Sequence, residues 1–342
     1  MFRRVNMRFI DTLNGQANWP PPTWLMRQAG RYLPEYRATR AQAGDFISLC
    51  FNPALAEEVT LQPIRKFGFD AAILFSDILI LPMALGQGLR FAEGEGPRLP
   101  PLERLSSLSL KAAPGIYAPV METVSRLRAS LPKHTALIGF AGAPATVACY
   151  MLDGQGGGDF PRTRRMAYEA PEFVAGLMKI MVDATIEYLS AQVQAGADCL
   201  MLFESWAGMF APDQFRKLVI APTKAIVAAL KTRHPGIKII GFPRLAGLML
   251  PDYVRETGID AVGLDTTTDL IAARAVCPPG TIFQGNLDPL LLKLGGSAME
   301  DAVAKILETV RGRPHIFNLG HGITPDVPEQ NVTRLMELIR AA

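Results

Sequence analysis

Residues 196–208 read GADCLMLFESWAG. Before them runs a long amphipathic segment, APEFVAGLMKIMVDATIEYLSAQVQAG (170–196), with helical spacing and a glycine where a helix can stop. After that glycine come five apolar residues without a break, Cys199–Phe203. A strand with one wet face would alternate. A strand that is apolar at every position is covered on both faces, as in a parallel sheet with helices on its surface. Directly after the run stand a carboxylate, a hydroxyl and an indole, Glu204, Ser205 and Trp206. One short stretch therefore shows a helix, a buried parallel strand and a polar delivery at the strand's C-terminal end.

The same unit repeats outward in both directions. Upstream are TWLM (23–26), AAILF (71–75) and ALIGF (136–140); downstream are IKIIGF (237–242), AVGL (261–264), TIFQ (281–284) and HIFN (315–318). Helical patterns separate them. NPALAEEVTLQPIRKFG has Asn52 placed to cap and Pro53 at the first helical position, and Pro63 predicts a kink or an early end. PDQFRKLVIAPTKAIVAALKTRHPG (212–236), SAMEDAVAKILETVRG (297–312) and a final helix over 328–340 continue the alternation. Eight strands, each followed by helix, predict an α/β fold: one (β/α)8 barrel domain spanning residues 1–342. A doubly wound sheet would want a glycine-rich βα turn for a cofactor, and no G-x-G-x-x-G follows any strand. GQGGGD (154–159) follows no strand and reads as a flexible loop. The excess length lies in 27–70 and 77–135, where LGQGLRFAEGEGPRLPP predicts a hairpin or an irregular excursion.

Such barrels carry their chemistry at the C-terminal ends of the strands. Those ends deliver Arg27 and Arg31, Ser76-Asp77, Ala141–Pro144 and then Tyr150, Glu204-Ser205-Trp206, Pro243-Arg244, Asp265, Gly285-Asn286, and Gly320-His321-Gly322. Each has a bland reading. Asp77 can cap a helix, Ser205 can close a turn, Tyr150 can be an amphipathic core residue, and His321 can be an ordinary loop residue. Together they predict a polar, partly cationic cleft at one end of an apolar barrel. The arginines in MRQAGRYLPEYRATR, namely Arg27, Arg31, Arg37 and Arg40, are permanently charged and call for carboxylates or phosphates. Arg37 has Glu35 or the surface as partner, and Arg40 is placed at the rim.

Composition narrows the classes. Of 342 residues, 49% are hydrophobic and 20% charged, and the net charge is +3, too small to indicate nucleic acid. The four cysteines, Cys50, Cys149, Cys199 and Cys277, form no C-x-x-C pair and read as free thiols in a reducing compartment. The four histidines form no H-E-x-x-H, so no metal site is expected. The start, MFRRVNMRFID, is basic without the apolar stretch of a signal peptide, and no run reaches the ~20 residues that span a bilayer. The expectation is a soluble cytoplasmic protein with no membrane partner. No nucleophile elbow or Ser–His–Asp order points to acyl-enzyme chemistry.

MRQAGRYLPEYR (26–37), FSDIL (75–79), GFAGAP (139–144), QGNLDP (284–289) and NLGHGI (318–323), standing in this order, resemble the uroporphyrinogen decarboxylase family over nearly the whole chain. The resemblance implies a single-domain barrel, usually a homodimer, acting in haem and related tetrapyrrole biosynthesis. It implies a lyase that converts the four acetate side chains of uroporphyrinogen III to methyls, giving coproporphyrinogen III, with no metal or organic cofactor. It further implies that Asp77 holds the pyrrole N–H groups and stabilises a cationic intermediate, and that Arg27 and Arg31 bind carboxylates. Gln28, Ala29 and Gly30 would let the backbone approach the macrocycle. Tyr150, Ser205 and His321 would bind substrate side chains. Three positions depart from the family's habit: Ala145 replaces a bulky aromatic, Thr266 a tryptophan and Glu204 a frequent aspartate, all expected at the pocket lining. The competing readings are a zinc-dependent corrinoid or thiol methyltransferase on the same fold, for which Cys277 lacks an H-x-C partner, and a tetrapyrrole-binding protein without turnover.

Overall fold

Seven of the eight apolar runs become strands of one parallel sheet. The computed structural model describes residues 7–92 and 96–342; the basic start (1–6) and the turn of the predicted hairpin (93–95) lie outside the described residues. The strands are β1 (Ala71–Ile73), β2 (Arg90–Ala92), β3 (Gly96–Arg98), β4 (Ala136–Gly142), β5 (Cys199–Glu204), β6 (Lys238–Pro243), β7 (Ala261–Gly263), β8 (Ile282–Gln284) and β9 (His315–Ile316). The sheet order is β1-β4-β5-β6-β7-β8-β9, and each pairing is parallel. β2 and β3 pair antiparallel, as the glycines and prolines of that excursion predict. In the central strands nearly every residue is buried, which is why their sequences do not alternate.

The eighth run, TWLM, is not a regular strand. Within it only Thr23 makes a ladder contact, a parallel bridge to Phe317. Phe317 N–H donates to Pro22 O (2.9 Å) and Trp24 N–H to Phe317 O (3.3 Å). On the other side Asp70 N–H donates to Thr23 O (2.9 Å), and Thr23 N–H donates to Asp70 Oδ2 (2.8 Å). One residue thus bridges from β9 toward β1 and closes the (β/α)8 barrel. Beyond it side-chain amides replace the ladder. Met26 N–H donates to Asn318 Oδ1 (2.9 Å), Leu25 N–H to Gln28 Oε1 (3.2 Å), and Gln28 Nε2 to Ala71 O (3.1 Å).

The helices follow the predicted punctuation with two corrections. Asn52 caps the helix Pro53–Phe67 by accepting from Leu55 N–H, and Gly68 ends it in the left-handed region. That helix passes through Pro63 without ending there. Its buried face, from Ala56 through Phe67, holds the turn that lacks one N–H donor. The segment 212–233 is one helical path in three pieces, with a π-type turn over Arg216–Ile220 between Pro212–Phe215 and Ala221–Arg233. Among the described residues no helix is long and apolar enough to cross a membrane.

A buried carboxyl joins β5 to the next layer. The helix Pro144–Asp153 has no side-chain cap of its own. Glu204, fully buried at the end of β5, accepts from both the backbone N–H and the hydroxyl of Thr146 in the helix's first turn. Thr146 Oγ1 in turn accepts from Trp206 N–H (3.1 Å). A carboxylate at a helix N-terminus is electrostatically favoured. Burial opposes this and pushes the Glu204 carboxyl up to about 8, and Oε2 has no partner among the described residues. The folded group therefore stays protonated up to about 8, while in the unfolded chain it ionises near its ordinary value of 4.5. The native state binds the extra proton between those values, so stability falls as pH rises through that window and levels off above it. Wild type should lose a few kcal/mol, on the order of the shift, across this window. Glu204→Gln should lose clearly less. Urea midpoints measured at both ends of the window for both proteins test this, and equal slopes would refute it.

Candidate active site

The loop after the closing bridge is built to hold a guanidinium outward. Arg27 is exposed and has φ 61°, a left-handed conformation rare for a residue with a Cβ. The chain turns there because its neighbours are tied. Asn318 and Gln28 hold Met26 and Leu25 as described, Ile323 N–H donates to Met26 O (2.9 Å), and the Tyr32 hydroxyl donates to Gln28 O (2.8 Å). Gly322 makes the room. A Cβ on it would come within 2.4 Å of Arg27 Cδ and 2.7 Å of Cγ. That contact brings the NLGHGI loop against the MRQAGR loop.

Asp77 follows β1 at the same mouth. Its Oδ1 accepts from Leu79 N–H (2.8 Å) in the turn ahead of the helix Ile80–Ala84, which itself has no side-chain cap, so Asp77 closes a turn rather than capping a helix. Protein surrounds the carboxyl although part of its surface stays accessible. That burial pushes its pKa up to about 6, against the pull of the Leu79 N–H and the nearby Arg27 charge. Tyr150 sits half-buried on the helix Pro144–Asp153, its hydroxyl pKa raised chiefly by burial, with the charges of Asp77 and Arg27 also bearing on it. Its ring packs in a cluster with Phe160 (6.4 Å) and Trp206 (6.4 Å). A Cβ on Gly156 would strike that ring within 2.4 Å, so the GQGGGD stretch serves in part as its backing. His321 is half-buried. Burial first, and then Arg27 and Arg244 on its flanks, push its pKa down to about 4, with Asp265 pulling the other way. Ser205 is half-buried beside Trp206 and makes no side-chain hydrogen bond among the described residues.

Arg27, Asp77, Tyr150 and His321 therefore share one electrostatic neighbourhood. Arg31 stands exposed farther along the loop, and neither it nor Arg27 has a carboxylate within ion-pair distance among the described residues. The main-chain N–H groups of Ala29 and Gly30 also meet no acceptor there. Gln28 is different. It is buried, and its side chain and main chain are all committed to the loop, so it scaffolds the arginines. Arg37 does not pair with Glu35, which binds Lys66; it donates to Arg31 O (2.7 Å) and Tyr32 O (3.3 Å) and braces the loop. Arg40 lies over the Phe46 ring, 5.5 Å from its centroid.

Two of the three departures do not line the cleft. Ala145 and Glu204 are buried behind it, and Thr266 alone is exposed at the rim. Asn318 opens the NLGHGI motif, but nothing in the sequence assigns it a part in building the site. Its other signal there is a polar residue ending an apolar run, and the fold alone shows that it anchors Met26 from across the closure. All four cysteines are free and buried, and no group of three or more His, Cys, Asp or Glu among the described residues is arranged to hold a metal ion.

Comparison with known proteins agrees with this geometry. The family model described as "Uroporphyrinogen decarboxylase (URO-D)" matches residues 4–342. A protein of that name from Acidiphilium cryptum is 58% identical over 99% of this chain and 95% of its own length. Another from Granulibacter bethesdensis is 56% identical over 98% of this chain and 99% of its own. Among solved structures, a methyltransferase from Methanosarcina mazei has TM-score 0.76 at 17% identity, covering 98% of this chain and 97% of its own, which is a likeness of fold alone. With a family model matched along nearly the whole length and relatives more than half identical, the chain belongs to the uroporphyrinogen decarboxylase family.

Proposed function

We propose that this protein decarboxylates the four acetate side chains of uroporphyrinogen III to give coproporphyrinogen III in tetrapyrrole biosynthesis. The supporting observation is the pairing at the barrel mouth: guanidiniums with no internal carboxylate, Arg27 and Arg31, around a single recessed carboxyl, Asp77. A macrocycle with carboxylates at its rim and pyrrole N–H groups at its centre fits that charge pattern. The arginines take rim carboxylates in bidentate fashion. The N–H groups of Ala29 and Gly30 add donors on the same side. Asp77 has one oxygen committed to Leu79, which leaves its other oxygen to accept pyrrole N–H groups.

The chemistry follows from the substrate's own electronics. Protonation of a pyrrole carbon makes a ring cation. The bond to the acetate carboxylate then breaks, CO₂ leaves, and the electron pair neutralises the ring. Protonation of the methylene carbon and loss of the first proton restore the pyrrole and leave a methyl, so each cycle takes up one proton net. An ionised Asp77 beside the nitrogens stabilises the cation in a low-dielectric setting without reorganising. His321, its pKa near 4, is neutral at physiological pH and presents one ring N–H to a side chain. Tyr150 and Ser205 supply hydroxyls. The whole chain serves as one barrel domain, and no organic cofactor is required by this route.

We further propose a cytoplasmic homodimer. The four thiols are free, and Leu248 (98% exposed) and Leu294 (64%) stand out as exposed apolar side chains. Light scattering should give twice the 37.2 kDa chain mass; a monomer at all concentrations would exclude the dimer.

Anaerobic incubation with uroporphyrinogen III, followed by counting carboxyl groups on the product, tests the activity. Wild type should leave four and Asp77→Asn essentially all eight, with turnover down by about 10²–10³ and the fold intact. Wild-type turnover in Asp77→Asn would refute the assigned role, and an unchanged substrate with wild type would refute the activity. Because Asp77 is neutral below about 6, kcat/KM should fall on the acid side near that value as the stabilising charge is lost.

A further inference from the structure

A cavity opens at the barrel mouth beside His321. It measures about 470 Å³ and lies among the loops after β6, β7, β8 and β9. Its ionisable wall consists of Arg244, Asp265, Asp288, Lys293, His321 and Asp326. Three of these are carboxylates, so a plain charge count does not favour an anion. Their commitments decide the matter. Asp265 is buried and turned to its own loop: Oδ1 accepts from Thr267 N–H (2.8 Å) and the hydroxyls of Thr267 (2.6 Å) and Thr268 (3.3 Å), and Oδ2 from Leu245 N–H (2.6 Å). Asp288 caps the helix Pro289–Leu294 through Leu290 N–H (2.8 Å). Asp326 pairs with Lys293 and accepts from the Thr324 hydroxyl. Arg244 is left. It is half-buried, and its guanidinium has no carboxylate within ion-pair distance and no hydrogen-bond acceptor among the described residues.

The backbone holds that side chain in place. Arg244 N–H donates to Glu204 O (3.1 Å), and Arg244 O accepts from Gly208 N–H (3.1 Å). The next residue, Leu245, turns at φ 60° with its N–H on Asp265. Gly320 keeps the floor low, since a Cβ there would lie 2.4 Å from Thr266 N. A partly desolvated guanidinium with no partner, fixed at its base beside a neutral imidazole, is a built receptor for one carboxylate.

We infer that Arg244 and His321 form a second carboxylate subsite, which holds a short alkyl carboxylate of the macrocycle opposite the Arg27–Arg31 side. The inference rests on the proposed tetrapyrrole reading. It assigns Arg244 to substrate binding and retention rather than to bond breaking. Each decarboxylation removes one anchor from the rim, so loss of a remaining anchor weighs most on the later intermediates.

Arg244→Gln and Arg244→Lys, assayed with uroporphyrinogen III alongside wild type, test the assignment. The Arg244 side chain makes no internal bond, so both variants should unfold at the wild-type temperature. Arg244→Gln should raise KM about tenfold or more, as loss of a charge-assisted contact does, with kcat for the first decarboxylation nearly unchanged. Products with five to seven carboxyl groups should accumulate free in solution. Arg244→Lys should recover part of the KM. An Arg244→Gln enzyme with wild-type KM and no released intermediates would overturn the subsite, as would one that loses kcat alone. Failure of wild type to decarboxylate at all would instead overturn the functional reading on which the subsite rests.

Discussion

Closure of the barrel at a single residue is the constraint from which the rest of the site follows. A curled sheet of seven parallel strands has two edges, and each exposes unpaired backbone groups. Thr23 bridges toward both edges at once, toward β9 through Phe317 and toward β1 through Asp70. Had the eighth strand run on to Met26, regular pairing would have held the chain extended. Instead the amides of Asn318 and Gln28 take over the hydrogen bonds of Leu25 and Met26. The backbone is satisfied without being extended, and it can turn sharply at Arg27. Closure and substrate-facing geometry are thus set by the same few bonds.

The same closure explains how charge is distributed at the mouth. Carboxylates there are held by backbone donors: Asp77 by Leu79, Asp265 by Leu245 and Thr267. Arginines are held by backbone geometry and steric room, as at Arg27 over Gly322 and Arg244 between Glu204 O and Gly208. The two signs therefore do not neutralise each other. Folding a chain with an unpaired half-buried guanidinium, as at Arg244, costs stability. A polyanionic ligand removes that cost on binding, so the charge separation built into the fold becomes affinity for the ligand.

What was legible in the sequence follows the same division. β4, β5 and β6 could be read to within a residue or two because both their faces are apolar, and a short run without alternation, bounded by turn residues, is characteristic of a strand covered on both sides. The caps at Asn52 and Gly196 were legible because they act within a few residues of themselves. TWLM looked like a strand and is mostly not one, because Leu25 and Met26 bond to the side chains of Gln28 and Asn318 rather than to a neighbouring strand. Pro63 offered a kink or an early end, and the helix does not end there, because packing along a long buried face outweighs one missing donor. The family motifs named residues that gather at the mouth; they did not reveal that the buried Gln28 and the exposed Arg37 both bond back to the loop and brace it.

Arg244 shows the limit of that legibility most clearly. At the sequence level it is one arginine at a strand end, near Asp265 in the next unit, and an Arg–Asp pair across adjacent loops would be the default expectation. In the structure no such pair forms: the carboxylate is turned to Leu245 and Thr267 N–H and to the hydroxyls of Thr267 and Thr268. Whether a charged side chain faces a ligand or a neighbour depends less on its own identity than on which way its neighbours are already bonded. That property belongs to the hydrogen-bond network as a whole, and no motif or spacing encodes it. In this barrel, unlike TWLM or Pro63, the decisive fact about Arg244 was a neighbour bonded to its own loop rather than anything in its own segment.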